Sequence, residues 1–288
     1  MGPDVARAVW HHLETVNAVT YFSPECRQAP VRLGLKGFWM GYFACRAAPL
    51  GPVGPGVVEA TFFNFHPTRV GRAIPDAWTY ADPAHIHETR ATAAADALRR
   101  LLPDGQAYQL AAEAVPLLSL AIDNAGPGGR PLFAANRDAP SSDADPVAGL
   151  WQAATTLREH RGDGHVALLA GAGLDGCEAH VLVAACEGIE PELFQQSRGW
   201  TPEDWAQAVD RLAHRKLVSA DGTATTTGRE LRQGIERRTD ELALEPYTAL
   251  GGERIDELLR LVEPASRRIA AAGEIRFPNP MGLPPPPS

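Results

Sequence analysis

Paired cysteines, lysine and long apolar runs are all scarce in this sequence. Its four cysteines (Cys26, Cys45, Cys177 and Cys186) are scattered over 288 residues with no CxxC pair. That scatter reads as reduced, buried small residues of a cytoplasmic protein. Lysine occurs only as Lys36 and Lys216, so arginine carries nearly all the positive charge, a mark of GC-rich coding rather than of a chemistry. The longest apolar runs, 114–122 and 166–172, fall far short of the ~20 residues that span a bilayer. No basic segment followed by an apolar one opens the chain, so neither a membrane partner nor a secretory leader is expected. There is no GxGxxG after a strand, no GxxxxGK[ST] and no GxSxG, which removes the main support for dehydrogenase, P-loop and hydrolase readings. His85-x-His87 and His11-His12 lack accompanying ligands at metal spacing, so no metal is expected, and no cofactor. A net charge of −8 argues against nucleic acid as a partner.

What is present is a globular composition, 44% hydrophobic and 22% charged, which excludes a wholly disordered chain. Helical periodicity dominates, over Ala91–Leu102, Ala107–Ile122 (broken at Pro116), Val147–Ala172, Glu178–Ala185, Pro202–Leu217, Gly228–Leu244 and Arg254–Ala272. Gly- and Pro-rich stretches at 124–130 and 138–146 divide the chain into an N-terminal half (1–123), a linker region (124–146), a C-terminal half (147–276) and a Pro-rich tail (277–288). Ala220–Thr227 (ADGTATTT) has an Asp-Gly turn between β-prone arms and reads as a small hairpin.

Within the second half, Thr201-Pro202-Glu203-Asp204 is a helix start, with a capping hydroxyl, proline in the first turn and acids behind it. Helix, helix, hairpin, helix is a winged helix-turn-helix order, and LAHRKLVSADGTATTTGRELRQGIE resembles the MarR-type regulators. Echoes of this pattern in the first half, from Leu50 to Trp78 and through the helix ending Leu101-Leu102, suggest a degraded repeat. The expected fold is therefore mainly α with small β-wings: two winged-helix-like halves in tandem, a pseudo-dimer within one chain. A monomer or weak dimer follows from that. The whole chain also resembles an actinobacterial helix-turn-helix family called SalK-like. The resemblance rests on YFSPE (21–25), GYFACRAAPLG (41–51), FHP (65–67), REHRGDGH (158–165) and RGW (198–200), and it implies a fold without a mechanism.

Two segments carry candidate chemistry. In LREHRGDGH (157–165), Arg161 and His165 continue an apolar stripe made by Leu150, Trp151, Ala154, Leu157, Leu168 and Leu169. Gly162 and Gly164 each cost about 1 kcal/mol in a helix interior, and an inward arginine needs a partner. A structural ion-pair network or a ligand pocket would each compensate. Arg158, Arg161 and His165 suit an anionic oxygen, and Asp163 suits orientation of a histidine. The second segment is aromatic: Tyr21, Phe22, Phe38, Trp39, Tyr42, Phe43, Phe62, Phe63 and Phe65 cluster early, with Arg46, Asn64 and His66 among them. It reads either as an aromatic core or as a cavity for a flat, greasy molecule. From Arg198 to Arg238 eight basic residues face six acids, a thin positive excess for a phosphate binder.

The leading expectation is a hydrophobic or aromatic small molecule bound on a non-DNA-binding winged-helix scaffold. Antibiotic sequestration or a secondary-metabolite pathway would be its context. The ligand residues would be Phe38, Trp39, Tyr42, Arg46, Asn64, His66, Trp151, Arg158, Arg161 and His165. One alternative is a ligand-responsive regulator contacting DNA through Arg211, Arg215 and Lys216. Another is an enzyme using His165, Asp163 and Arg161 for acid–base work.

Overall fold

The computed structural model describes residues 1–139 and 145–286; of the expected linker and tail, 140–144, 287 and 288 lie outside the described residues. The described residues form helices: α1 (Pro3–Phe22), α2 (Pro24–Arg32), α3 (Gly37–Ala47), α4 (Pro55–Phe62), α5 (Pro67–Gly71), α6 (Pro83–Leu101), α7 (Gln106–Asp123), α8 (Pro131–Arg137), α9 (Pro146–Gly171), α10 (Gly176–Glu187), α11 (Pro191–Arg198), α12 (Pro202–His214), α13 (Thr226–Leu242), α14 (Glu245–Thr248) and α15 (Gly251–Ala271). Much of the proline is spent on helix starts, where a missing N–H costs nothing and φ is already helical. α7 runs through Pro116 instead of breaking there. Pro116 is exposed, so water can satisfy the carbonyl it frees.

No strand occurs among the described residues, which corrects the expectation of β-wings and of two winged-helix halves in tandem. At the expected hairpin a single bridge joins Val218 and Ala224. The cause is local. Asp221 folds back on the Ser219 hydroxyl and the Thr223 N–H, closing the turn at once. The threonines that looked β-prone then start α13: Thr225 accepts from the Gly228 N–H at 3.0 Å and donates to the Lys216 and Leu217 carbonyls. In the first half, Leu102–Gly105 is a short turn between α6 and α7 with no arms to pair.

Three apolar clusters hold the helices. The largest combines α1, α6, α7, the first half of α9 and α15. A second gathers α3, α4, α5 and Leu132 of α8. The third joins the end of α9 to α10, α11, α12 and α13. α9 packs against α1, α6, α7, α8 and α13, so helices that precede it and one that follows it assemble around it. Its interior Gly164 has a packing reason: a Cβ there would lie 2.8 Å from Arg130 Nη1, which donates to the His160 carbonyl on the same helix. The chain after α15 is pinned by Asn279, whose side chain donates to Arg276 O and Leu283 O and accepts from the Met281 and Leu283 N–H groups. Among the described residues no single helix is long and apolar enough to cross a membrane.

Candidate functional site: an aromatic and arginine-lined cavity

A cavity of about 1090 Å³ lies where the three clusters meet. α1, α3, α4, α9, α10, α11, α13 and the segment Pro280–Pro284 all contribute to its wall. One side is aromatic. Helical spacing on α3 presents Phe38, Trp39 and Tyr42 together, and Tyr42 lies 5.5 Å from Tyr21, 5.4 Å from Phe65 and 5.7 Å from Trp39, ring centre to ring centre. These separations suit edge and tilted ring packing.

At the end of that wall sits a buried ion-pair cluster. Arg46 Nε and Nη2 donate to the two oxygens of Glu159, both at 3.1 Å, and its guanidinium lies 4.2 Å from the Phe62 ring centre. Arg158 donates to Glu159 Oε2 at 2.8 Å and to Glu14 Oε1 at 3.3 Å. Burial alone would raise the Glu159 pKa; Arg158 and Arg46 outweigh it and hold the carboxyl down at about 2.

Across the cavity, Arg161 donates to Asp240 at 2.7 Å and stacks over Trp10 at 4.7 Å. Arg7 bonds the other Asp240 oxygen at 2.7 Å and Glu236 at 2.9 Å. His165 Nδ1 meets Thr239 Oγ1 at 2.9 Å. That hydroxyl donates to Ile235 O at 2.8 Å, so the network assigns the Nδ1 proton to histidine and leaves Nε2 as the acceptor. Burial, with Arg232 and Arg161 nearby, lowers the His165 pKa to about 4 against the pull of Glu236, and the ring is neutral.

Arg198, the last residue of α11, differs from these arginines. Its guanidinium lies 4.6 Å from the Phe65 ring centre and donates to Pro280 O. No carboxylate among the described residues pairs with it, and its Nε is buried without an acceptor. Burial pushes its pKa down to about 10. Tyr21 Oη, Asn64 Oδ1, His180 Nε2 and Arg232 Nε, all on residues lining this cavity, are likewise buried without a hydrogen-bond partner among the described residues.

The structure brings Phe38, Trp39, Tyr42, Arg46, Asn64, Arg158, Arg161 and His165 to this one cavity. It places His66 and Trp151 elsewhere. His66 Nδ1 caps α5 by accepting from Thr68 N at 3.1 Å, and its ring stands edge-on to Trp200. Trp151 is fully buried, with Arg90 lying 4.7 Å over its ring. Asp163 turns away from His165 and accepts from the Phe133 N–H at 2.9 Å, so the two do not form a pair. Sequence reasoning passes over Glu14, Glu159, His180, Glu236 and Asp240, and it names Tyr21 and Arg198 without placing them among the ligand residues. Two signals were present: Glu236 and Asp240 are four apart on one helix face, and Glu159 sits inside the segment already singled out.

A family model described as a helix-turn-helix family matches residues 6–276. The chain belongs to that helix-turn-helix family. No curated protein and no solved structure is matched. In this helix-turn-helix protein α12 opens with a reciprocal cap between Thr201 and Asp204. Two of the three DNA-contact candidates on and after it are held internally. Arg211 bonds Glu178 at 2.8 Å and Asp175 at 2.6 Å, and Arg215 donates to Gly173 O at 2.7 Å and Ala172 O at 2.8 Å. Lys216 is exposed at a positive φ of 60°.

Proposed function

We propose that this chain binds a hydrophobic or aromatic small molecule on a helix-turn-helix scaffold, in the setting of antibiotic sequestration or a secondary-metabolite pathway. The observation that carries the reading is the large cavity with an aromatic wall and several buried polar atoms lacking partners. Apolar walls with a few fixed polar groups are the usual make-up of a small-molecule site, and this volume suits a ligand of several fused or linked rings. The test uses the neutral fluorophore N-phenylnaphthylamine. One molecule should bind per chain, and Val183→Trp, which puts bulk into the cavity wall, should abolish binding while the melting transition persists. Equal binding by both proteins would place the fluorophore elsewhere and sink the reading.

Family membership favours a second reading, a ligand-responsive transcriptional regulator, and the likeness to MarR-type and SalK-like proteins belongs with it. Against it stand the internal bonds of Arg211 and Arg215 and the acids Glu203 and Asp204 in the first turn of α12. Gel shifts on the protein's own upstream DNA at several salt concentrations separate the two. A specific shift that weakens steeply with salt and is lost with Arg211→Ala/Arg215→Ala would make the regulator the better account.

A further inference from the structure

The charges lining the cavity do not balance along its aromatic side. Arg46, Arg158 and Arg198 stand there with two carboxylates, Glu14 and Glu159, while a fourth arginine, the exposed Arg27, lies 5.9 Å from the Phe38 ring centre in reach of water. Both oxygens of Glu159 go to Arg46 and Arg158, and Glu14 goes to Arg158. Of the arginines withdrawn from solvent here, Arg198 is the one left over, held by a carbonyl of the tail segment and by the face of Phe65. A half-buried guanidinium without a counter-charge is costly, and the cost falls if an anion arrives with the ligand. Two further groups on the same cavity point to the same need. The Tyr21 hydroxyl is buried with no partner, and His180, 5% exposed and stacked at 4.4 Å on Phe194, has Nε2 unpaired. A tyrosine hydroxyl donates, and a neutral imidazole donates from one of its two nitrogens.

We propose that the occupant is a flat aromatic acid whose carboxylate or sulfonate pairs with Arg198 while its rings lie against Tyr42 and Phe65. This rests on the small-molecule reading above and narrows it. The aromatic wall selects the ring system, and Arg198 selects the acid over its neutral analogue. The carbonyl of Pro280 already accepts from one guanidinium N–H, so the anion takes the N–H groups that remain.

Anilinonaphthalene sulfonate and N-phenylnaphthylamine share one ring system and differ by the sulfonate, so the pair isolates the charge. The wild-type chain should bind one sulfonate per chain at least about tenfold more tightly than the neutral amine, the scale of a hydrogen-bonded charge. Arg198→Met should erase that preference and leave the amine's affinity within about twofold, a change that loss of packing alone would not produce. Arg198→Lys should keep part of the preference, and Tyr21→Phe should lower the sulfonate's affinity alone. If Arg198→Met does not fold, the wild-type ratio and Arg198→Lys decide. Equal affinity for the two probes in the wild type, or a preference untouched by every Arg198 variant that folds, overturns the acid proposal and leaves the cavity reading standing. If neither probe binds, both fall.

Discussion

Glu159 has almost no exposed surface and accepts hydrogen bonds from two guanidinium groups at once. Removing its charge strands Arg46 and half-strands Arg158 inside the protein. Breaking a buried pair by deleting one partner typically costs about 3–5 kcal/mol, because the remaining charge has lost both water and counter-ion. Glu159→Leu should therefore lower stability by about that amount in a denaturant titration. Glu159→Gln, which can still accept one bond, should cost less. A loss below about 1 kcal/mol for the leucine variant would mean that water already reaches this cluster. The same residue marks how far the site was legible. Arg161 and His165 could be read as inward because they continue an apolar stripe, and the structure turns both to the cavity. Glu159 lies off that stripe and its partner Arg46 is 113 residues away, so no local pattern announces the pair. Asp163 illustrates the converse: proximity in sequence suggested a partnership with His165, and the geometry of α9 gives it to the Phe133 backbone instead.

Among elements, the start of α13 carries the clearest local code. In Thr225-x-x-Gly228 the threonine caps the helix, and the glycine lets the preceding chain cross close by: a Cβ on Gly228 would fall 2.0 Å from the Leu217 carbonyl oxygen. The obstacle is backbone, which cannot swing aside as a side chain would. Gly228→Ala should destabilise by about 1–3 kcal/mol, although alanine is the better helix former. An unchanged or raised melting temperature would show that α13 can shift away from Leu217 freely. From α6 onward the longer helices are visible in the sequence, since periodicity and first-turn prolines are local signals, whereas α1 to α5 are not. The hairpin was misjudged because β-propensity in ADGTATTT competes with capping, and capping wins when a helix start lies within reach of the threonine hydroxyl. α1 was missed as an element although its 20 residues build one wall of the cavity. Its face includes His12, Glu14 and Asn17, buried polar residues that blur the apolar stripe.

At the scale of the whole molecule, burying histidines makes stability depend on pH. Burial is the largest cause in each case. It lowers His160 to about 3, with Arg130 adding to it, and His165 to about 4. It also holds His180 well below the ordinary range, with Arg198 and His165 contributing. These rings are neutral in the folded chain and take up a proton on unfolding once the pH is below the ordinary histidine value of ~6.5. Their contribution is complete above that value and is lost as the pH falls from there toward 4. Glu159 and Glu236, both held at about 2, add a second loss below the ordinary carboxylate range, as the unfolded chain protonates them first. Asp163 opposes this. Burial raises it to about 6, so it keeps its proton in the folded chain and weakens the fold as the pH rises from ~4 to 6. Around pH 5 these three histidines gain protons on unfolding, His11 and His12 (also lowered by burial) act in the same direction, and one aspartate loses a proton, so protons are taken up in net terms. Stability measured by denaturant midpoint should thus fall steadily from pH 7 to pH 4.5. Asp163→Asn should steepen the fall, because it removes the one opposing group. A flat profile between pH 7 and 5 would mean that water reaches these imidazoles in the folded chain, and the cavity region would then be more open than its packing implies.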